Sequence, residues 1–189
     1  MIFRAGSYLM TGNKRDISPV SIFLDLDGVV ADFDSHADAC AKKTSDGKMN
    51  WEALDLQWWV TMPAFAGAKK FYDDIKNLAP VKFLTAPVLS EDCFFGKAKW
   101  VQNFVPEKGR WVLMDLIICP SQEKKNRAKP GAILIDDREK NIMEWVEAGG
   151  IGIHHTCDFA KTFAEVKKAV DKLMPPKAGF SKPAKPFKP

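Results

Sequence analysis

Four acidic residues stand at two places where an apolar run ends. Ser21-Ile22-Phe23-Leu24 leads into Asp25-Leu26-Asp27-Gly28, and Ala132-Ile133-Leu134-Ile135 leads into Asp136-Asp137-Arg138. Short apolar runs rich in strand formers predict buried strands. Ligands of an open parallel sheet sit beyond the carboxyl ends of its strands. All four carboxylates would then face one edge, with Gly28 permitting a tight turn. Clustered carboxylates repel one another unless a cation neutralises them. Hard oxygen donors of this kind suit Mg²⁺, which keeps waters and takes one or two carboxylates plus a phosphate. A third run, Val81-Lys82-Phe83-Leu84-Thr85, closes on Thr85 and Ala86. It offers a hydroxyl and backbone N–H groups to phosphate oxygens.

The elements that must position these groups are legible in outline. Strands are expected at 21–25, 81–85, 115–119 and 132–136, with a last one at 151–153 after the helix stop Gly149-Gly150. Helical periodicity covers Ala66 to Leu78, Ser90 to Phe104, Arg138 to Ala148 and Phe159 to Leu173. Ser90 is placed to cap the second of these, with Glu91 and Asp92 in its first turn. Strands alternating with helices predict an α/β fold with a parallel sheet flanked by helices. Residues 32–65 break the alternation, and they read as a small, mostly helical insert after the first strand. Residues 1–19 read as an irregular lead-in. Residues 20–174 read as one domain. The tail 175–189, with its prolines and lysines, is expected to be disordered or PPII-like.

With the acids placed on strand ends, a resemblance becomes visible. Asp25-Leu26-Asp27-Gly28-Val29-Val30 resembles the first signature of the haloacid dehalogenase (HAD) superfamily. Thr85 is similar to its second motif, and a lysine followed by Ile135-Asp136-Asp137 to its third and fourth. The order is that of the family, over about residues 20–155. The chain resembles most closely the 5′(3′)-deoxyribonucleotidases and their small phage and bacterial-like relatives. The matching text is Phe83-Leu84-Thr85-Ala86-Pro87, Lys99-Trp100-Val101 and Leu134-Ile135-Asp136-Asp137-Arg138, with Asp32-Phe33-Asp34 after the first motif. Ala86 stands where the family often has serine.

This resemblance implies a HAD-like Rossmannoid fold with a small helical cap in the insert. It also implies an Mg²⁺-dependent phosphomonoester hydrolase acting through an aspartyl-phosphate. Asp25 would be the nucleophile. Asp27 would be the acid and base, and would also reach the metal through its carbonyl. Asp136 and Asp137 would hold the metal directly or through water. Thr85, Ala86 and a lysine would bind the phosphate. Family spacing favours Lys124, then Lys125, over Lys129 on its turn beside Pro130-Gly131. Phe33, Trp58, Trp59 and Phe65 are candidates to contact a nucleobase, against a plain role in the core of the insert. The expected substrate is a (deoxy)nucleotide. Two rivals are a phosphatase for another small phosphoester or a nucleic-acid 3′-phosphate, and a non-catalytic binding module on the same scaffold.

Composition sets the outer bounds. The chain has 189 residues, 46% hydrophobic and 28% charged, which excludes collagen-like and fully disordered classes. Its formal net charge of +4 equals the charge of the four tail lysines, so the remainder is balanced. Nucleic acid is therefore a disfavoured partner. No apolar run approaches a membrane span. The start lacks the pattern of a secretory signal, so a cytoplasmic location is expected. The oligomeric state stays open, a homodimer included. Cys40, Cys93, Cys119 and Cys157 lack metal-ligand spacing and are expected to be reduced and mostly buried. His36, His154, His155 and Arg138 are expected in structural or surface roles, and Asp136-Asp137 also fits the start of a helix.

Overall fold

A computed structural model describes residues 20–40 and 42–174 of the chain. The expected lead-in at 1–19 and the tail at 175–189 lie outside the described residues. Five strands form one parallel sheet: β1 (Ser21–Leu24), β2 (Val81–Thr85), β3 (Leu116–Ile118), β4 (Ala132–Asp136) and β5 (Ile151–His154). Their order is β3-β2-β1-β4-β5. The first strand is central because its neighbours run outward on both sides. Ile22 pairs with Val81 on one side and with Ile133 on the other. The chain thus reverses direction across β1 and β4, and the crevice of such a switch point opens at their carboxyl ends.

Alternation of side chains gives the sheet two apolar faces. Ile22, Leu24, Phe83, Ile133 and Ile135 join the larger core, and Phe23, Leu84 and Leu134 join a smaller one around Trp145. The described residues form six α-helices, α1 (Phe33–Ala39), α2 (Leu56–Thr61), α3 (Ala68–Lys76), α4 (Glu91–Phe104), α5 (Glu139–Glu147) and α6 (Phe159–Leu173), of which α3 to α6 flank the sheet and α2 packs on α4. The chain is therefore an α/β fold with helices flanking a parallel sheet. α3 buries Ala68, Phe71, Tyr72 and Ile75, which is the stripe its periodicity predicts. α5 ends before Gly149, whose φ of +91° suits a residue without Cβ. Residues 32–65 hold α1, α2 and a 3₁₀ turn at Trp51–Ala53, so the insert is helical as expected.

Some local expectations need correction. Ser90 occupies the N-cap of α4, yet its side chain makes no capping hydrogen bond. The crossover from β3 to β4, for which the sequence carried no helical expectation, is a 3₁₀ stretch, Ser121–Arg127. All four cysteines are free, but only Cys93 is buried, while Cys40 and Cys157 are exposed. Among the described residues no helix is long and apolar enough to cross a membrane.

Candidate functional site

β1 and β4 end side by side, and their register carries Asp25 and Asp136 to the same edge. Both carboxylates are buried. An isolated buried carboxylate is costly, so each must find donors. The Lys124 ammonium lies between them, 2.8 Å from Asp25 Oδ2 and 2.7 Å from Asp136 Oδ2. Burial alone would lower the pKa of Lys124, but the charges of Asp25 and Asp136 outweigh it and raise it. The Leu26 N–H donates to Asp25 Oδ1 at 2.8 Å. Asn141 of α5 donates to both oxygens of Asp136, at 2.9 and 3.0 Å, and the Arg138 N–H donates to Oδ1 at 2.9 Å. Ser121 donates in turn to Asn141 Oδ1 at 2.9 Å. Asp136 is thus saturated with donors, and it organises the start of α5 from just outside the helix.

A second cluster lies next to the first. Lys97 of α4 is only 1% exposed. Its ammonium donates to Asp27 Oδ2 at 2.5 Å and to Thr85 Oγ1 at 2.9 Å. It also sits 5.2 Å from the centre of the Trp59 ring, within range of a cation–π attraction. Asp27 Oδ1 is buried and has no hydrogen-bond partner. Sequence reasoning missed Lys97 and Asn141. A signal for Lys97 existed: α4 buries Cys93, Lys97, Trp100, Val101 and Phe104. That places the lysine on the apolar stripe, where a lysine needs a partner.

Asp137 completes the acidic group. Asp25, Asp136 and Asp137 each offer an oxygen within 4.8 Å of the others. Gly28, at φ +75°, comes so close that a Cβ there would lie 2.3 Å from Asp137 Oδ2. The two loops interlock only because residue 28 has no side chain. Burial, and then the negative charge of Asp25, push both Asp136 and Asp137 up to about 6. Asp137 Oδ1 has no hydrogen-bond partner. Three carboxylates face a single buried ammonium here, and one of them keeps an orphaned oxygen. That donor set fits a hard divalent cation. Asp137, with an unpartnered oxygen, and Asp25, whose oxygens each take one donor, are better placed for it than Asp136, whose oxygens each take two. The Asp27 carboxylate is not in this group.

Asp25, Asp27, Lys124 and Asn141 line a cavity of about 510 Å³, whereas Thr85, Lys97, Asp136 and Asp137 lie behind its lining. Asp25, Asp27 and Lys124 form its floor, with Ala86 at one side. Phe33, Trp51 and Trp59 line one wall, with Pro87 and Leu89 on another. Phe33 thus stands where a ligand would meet it, while Trp59 borders the cavity but is only 1% exposed and packs chiefly in the core of the insert. Two other aromatic candidates do not line it. Trp58 is buried edge-on against Phe33 and Trp59, with ring centroids 5.2 and 4.9 Å apart, and belongs to the core of the insert. Phe65 lines a different depression with Met62 and Trp100. Lys125 is also outside the site: it is exposed and lies 3.4 Å from Glu144. Its neighbour Lys124 points inward, so only one of the two lysines reaches the acids. Arg138 lines the cavity and is exposed. His154 donates to the Asp137 carbonyl at 2.8 Å, His155 is buried beside Thr162, and His36 donates to the Trp58 carbonyl at 3.2 Å.

No family model matches the chain, and no curated protein matches it. Among solved structures, an uncharacterized protein from Corynebacterium glutamicum is similar at 13% identity. The match covers 79% of this chain and 93% of that one, with a TM-score of 0.44.

Proposed function

We propose that the chain is an Mg²⁺-dependent phosphomonoester hydrolase of the haloacid dehalogenase type, with deoxynucleoside monophosphates as its substrates. The observation that carries this reading is the buried Asp25–Lys124–Asp136 arrangement, of which Asp25 and Lys124 line the cavity and Asp136 lies behind them. Asp25 is the nucleophile. One of its oxygens bonds to phosphorus as the ester P–O bond breaks, giving an aspartyl-phosphate. Asp27 donates its proton to the leaving oxygen. It then takes a proton from the water that attacks phosphorus, which frees phosphate and restores Asp25.

Lys97 and Thr85 bind the phosphoryl oxygens. The ammonium already lies between Asp27 and Thr85, so an arriving phosphate draws it from Asp27, which is then able to carry a proton. Lys124 orients Asp25, Asp136 holds Lys124 in place, and Asn141 holds Asp136. Asp25 and Asp137 would hold Mg²⁺, together with the Asp27 carbonyl that the resemblance implies. When bound, Mg²⁺ supplies the positive charge that lets a carboxylate meet a phosphate dianion. The cavity is in the size range of ligand pockets, and Phe33 and Trp51 give a base a surface on which to stack.

The test is phosphate release from ribo- and deoxynucleoside 5′- and 3′-monophosphates, a sugar phosphate and a 3′-phosphorylated oligonucleotide, in Mg²⁺ and in EDTA. Mg²⁺-dependent turnover of deoxynucleotides is expected, with Asp25→Asn lowering it at least about a thousandfold. Turnover restricted to another phosphoester keeps the chemistry and replaces the substrate. Absence of turnover across the panel refutes the reading.

A further inference from the structure

We infer that the chain has a second ligand site, for an anion of nucleotide size, at the opposite end of the sheet from the acids. The short β3–β4 crossover borders it. Among the described residues a cavity lies beside this 3₁₀ stretch toward the amino-terminal ends of β1 and β2, where Phe23 shows only an edge. Phe23 pairs with Lys82, and Leu84 with Ile117. In a parallel sheet these four side chains share one face. Phe23, Lys82 and Ile117 line a cavity of about 630 Å³ there, with Ser21, Asn126, Arg127 and Lys129 around it.

The charges point to an anion. Lys82, Arg127 and Lys129 converge on the cavity, and among the described residues none of the three pairs with a carboxylate. The acid that faces the cavity, Asp115, already takes the Lys108 ammonium at 2.8 Å. Three uncompensated cations around an apolar floor suit a ligand with a flat hydrophobic body and several negative charges. Phosphate oxygens would meet the cations, and the flat body would cover Phe23 and Ile117. A nucleoside polyphosphate has this chemistry, and the volume is in the range for one.

Occupancy would be felt at the other end of the sheet. Ser121, Gln122 and Lys124 line the acidic cavity, while Asn126, Arg127 and Lys129 line this one. One short crossover therefore faces both sites, and the lysine between Asp25 and Asp136 lies three residues from Arg127.

The experiment is a titration of the ¹⁵N-labelled full-length chain with ATP in EDTA, followed by amide chemical shifts. It does not depend on the chain being a phosphatase. Saturable shifts at Lys82, Ile117, Asn126 and Lys129 are expected, with binding at least tenfold weaker in Lys82→Gln/Arg127→Gln/Lys129→Gln. The spectrum of that variant reports whether it is folded, and Arg127→Gln alone serves if it is not. Shifts confined to Leu26, Ser121 and their neighbours, unchanged in the variant, would overturn the proposal. So would an oligonucleotide without terminal phosphates that shifts the groove amides where ATP does not.

Discussion

Two buried lysines serve the same edge of the sheet, and they are held differently. Lys124 is shared by two carboxylates, and one of these is pinned by Asn141 and by the Arg138 N–H. Lys97 is held by one carboxylate and one hydroxyl, and its partner Asp27 is 25% exposed and keeps an orphaned oxygen. A cation clamped between two charges is fixed. A cation on a single, partly hydrated carboxylate exchanges partners when a stronger anion arrives. The difference separates a lysine locked between two carboxylates from one with a single, partly exposed carboxylate partner.

Removing the clamp should have the largest effect. Lys124→Met leaves Asp25 and Asp136 buried without their cation, and the loss should be about 3–5 kcal/mol in urea unfolding at pH 7. The loss should shrink at pH 5, where the raised pKa of Asp136 lets it take up a proton. Lys97→Met should cost less, about 1–3 kcal/mol, because water can reach Asp27. Its main effect should be on turnover, about a hundredfold in kcat/KM for phosphate release. Equal losses of stability in the two variants would dissolve the distinction.

Asp137 sharpens the comparison, because it is an acid with no lysine. Its pKa lies at about 6 in the folded chain against an ordinary 3.8. The folded state therefore holds the proton more tightly than the unfolded one. The stability this contributes is complete below pH 3.8 and is lost as pH rises through about 6. In EDTA, Asp137→Asn should thus gain stability relative to the parent between about pH 4 and pH 6. Thermal unfolding across that range checks it, and parallel curves would mean that no such shift exists. The smallest change in stability should come from Trp51→Ala, within about 0.5 kcal/mol, since Trp51 is a largely exposed wall of the cavity. A rise in KM for a nucleotide with no change in unfolding would identify that wall as a ligand surface.

The sequence was most readable where a single period or a chain end decides the outcome. The strands that end in Asp25, Thr85 and Asp136 are continuous apolar runs, and the helices 68–76 and 159–173 show one clear stripe. The site was readable where backbone position alone places a group, as for the acids at strand ends. It was less readable where the outcome depends on how a side chain turns. Lys124 and Lys125 are adjacent and alike, and a 3₁₀ stretch sends one inward and the other toward Glu144. Trp58 and Trp59 are likewise adjacent, yet only Trp59 reaches the cavity. Asn141 was hidden because its role comes from a carboxylate five residues earlier, on a strand rather than on its own helix.

The central place of β1 also has a consequence for how the molecule comes into being. Ser21 pairs with Ala132 and Ile22 with Val81, so the strand that leads into Asp25 needs partners made much later in the chain. Such distant pairings are slow to form. During synthesis Asp25 emerges long before Lys124 and Asp136. Until β4 arrives, the Asp25 carboxylate remains in water rather than in the closed edge. Assembly of the acidic group therefore requires both halves of the sheet.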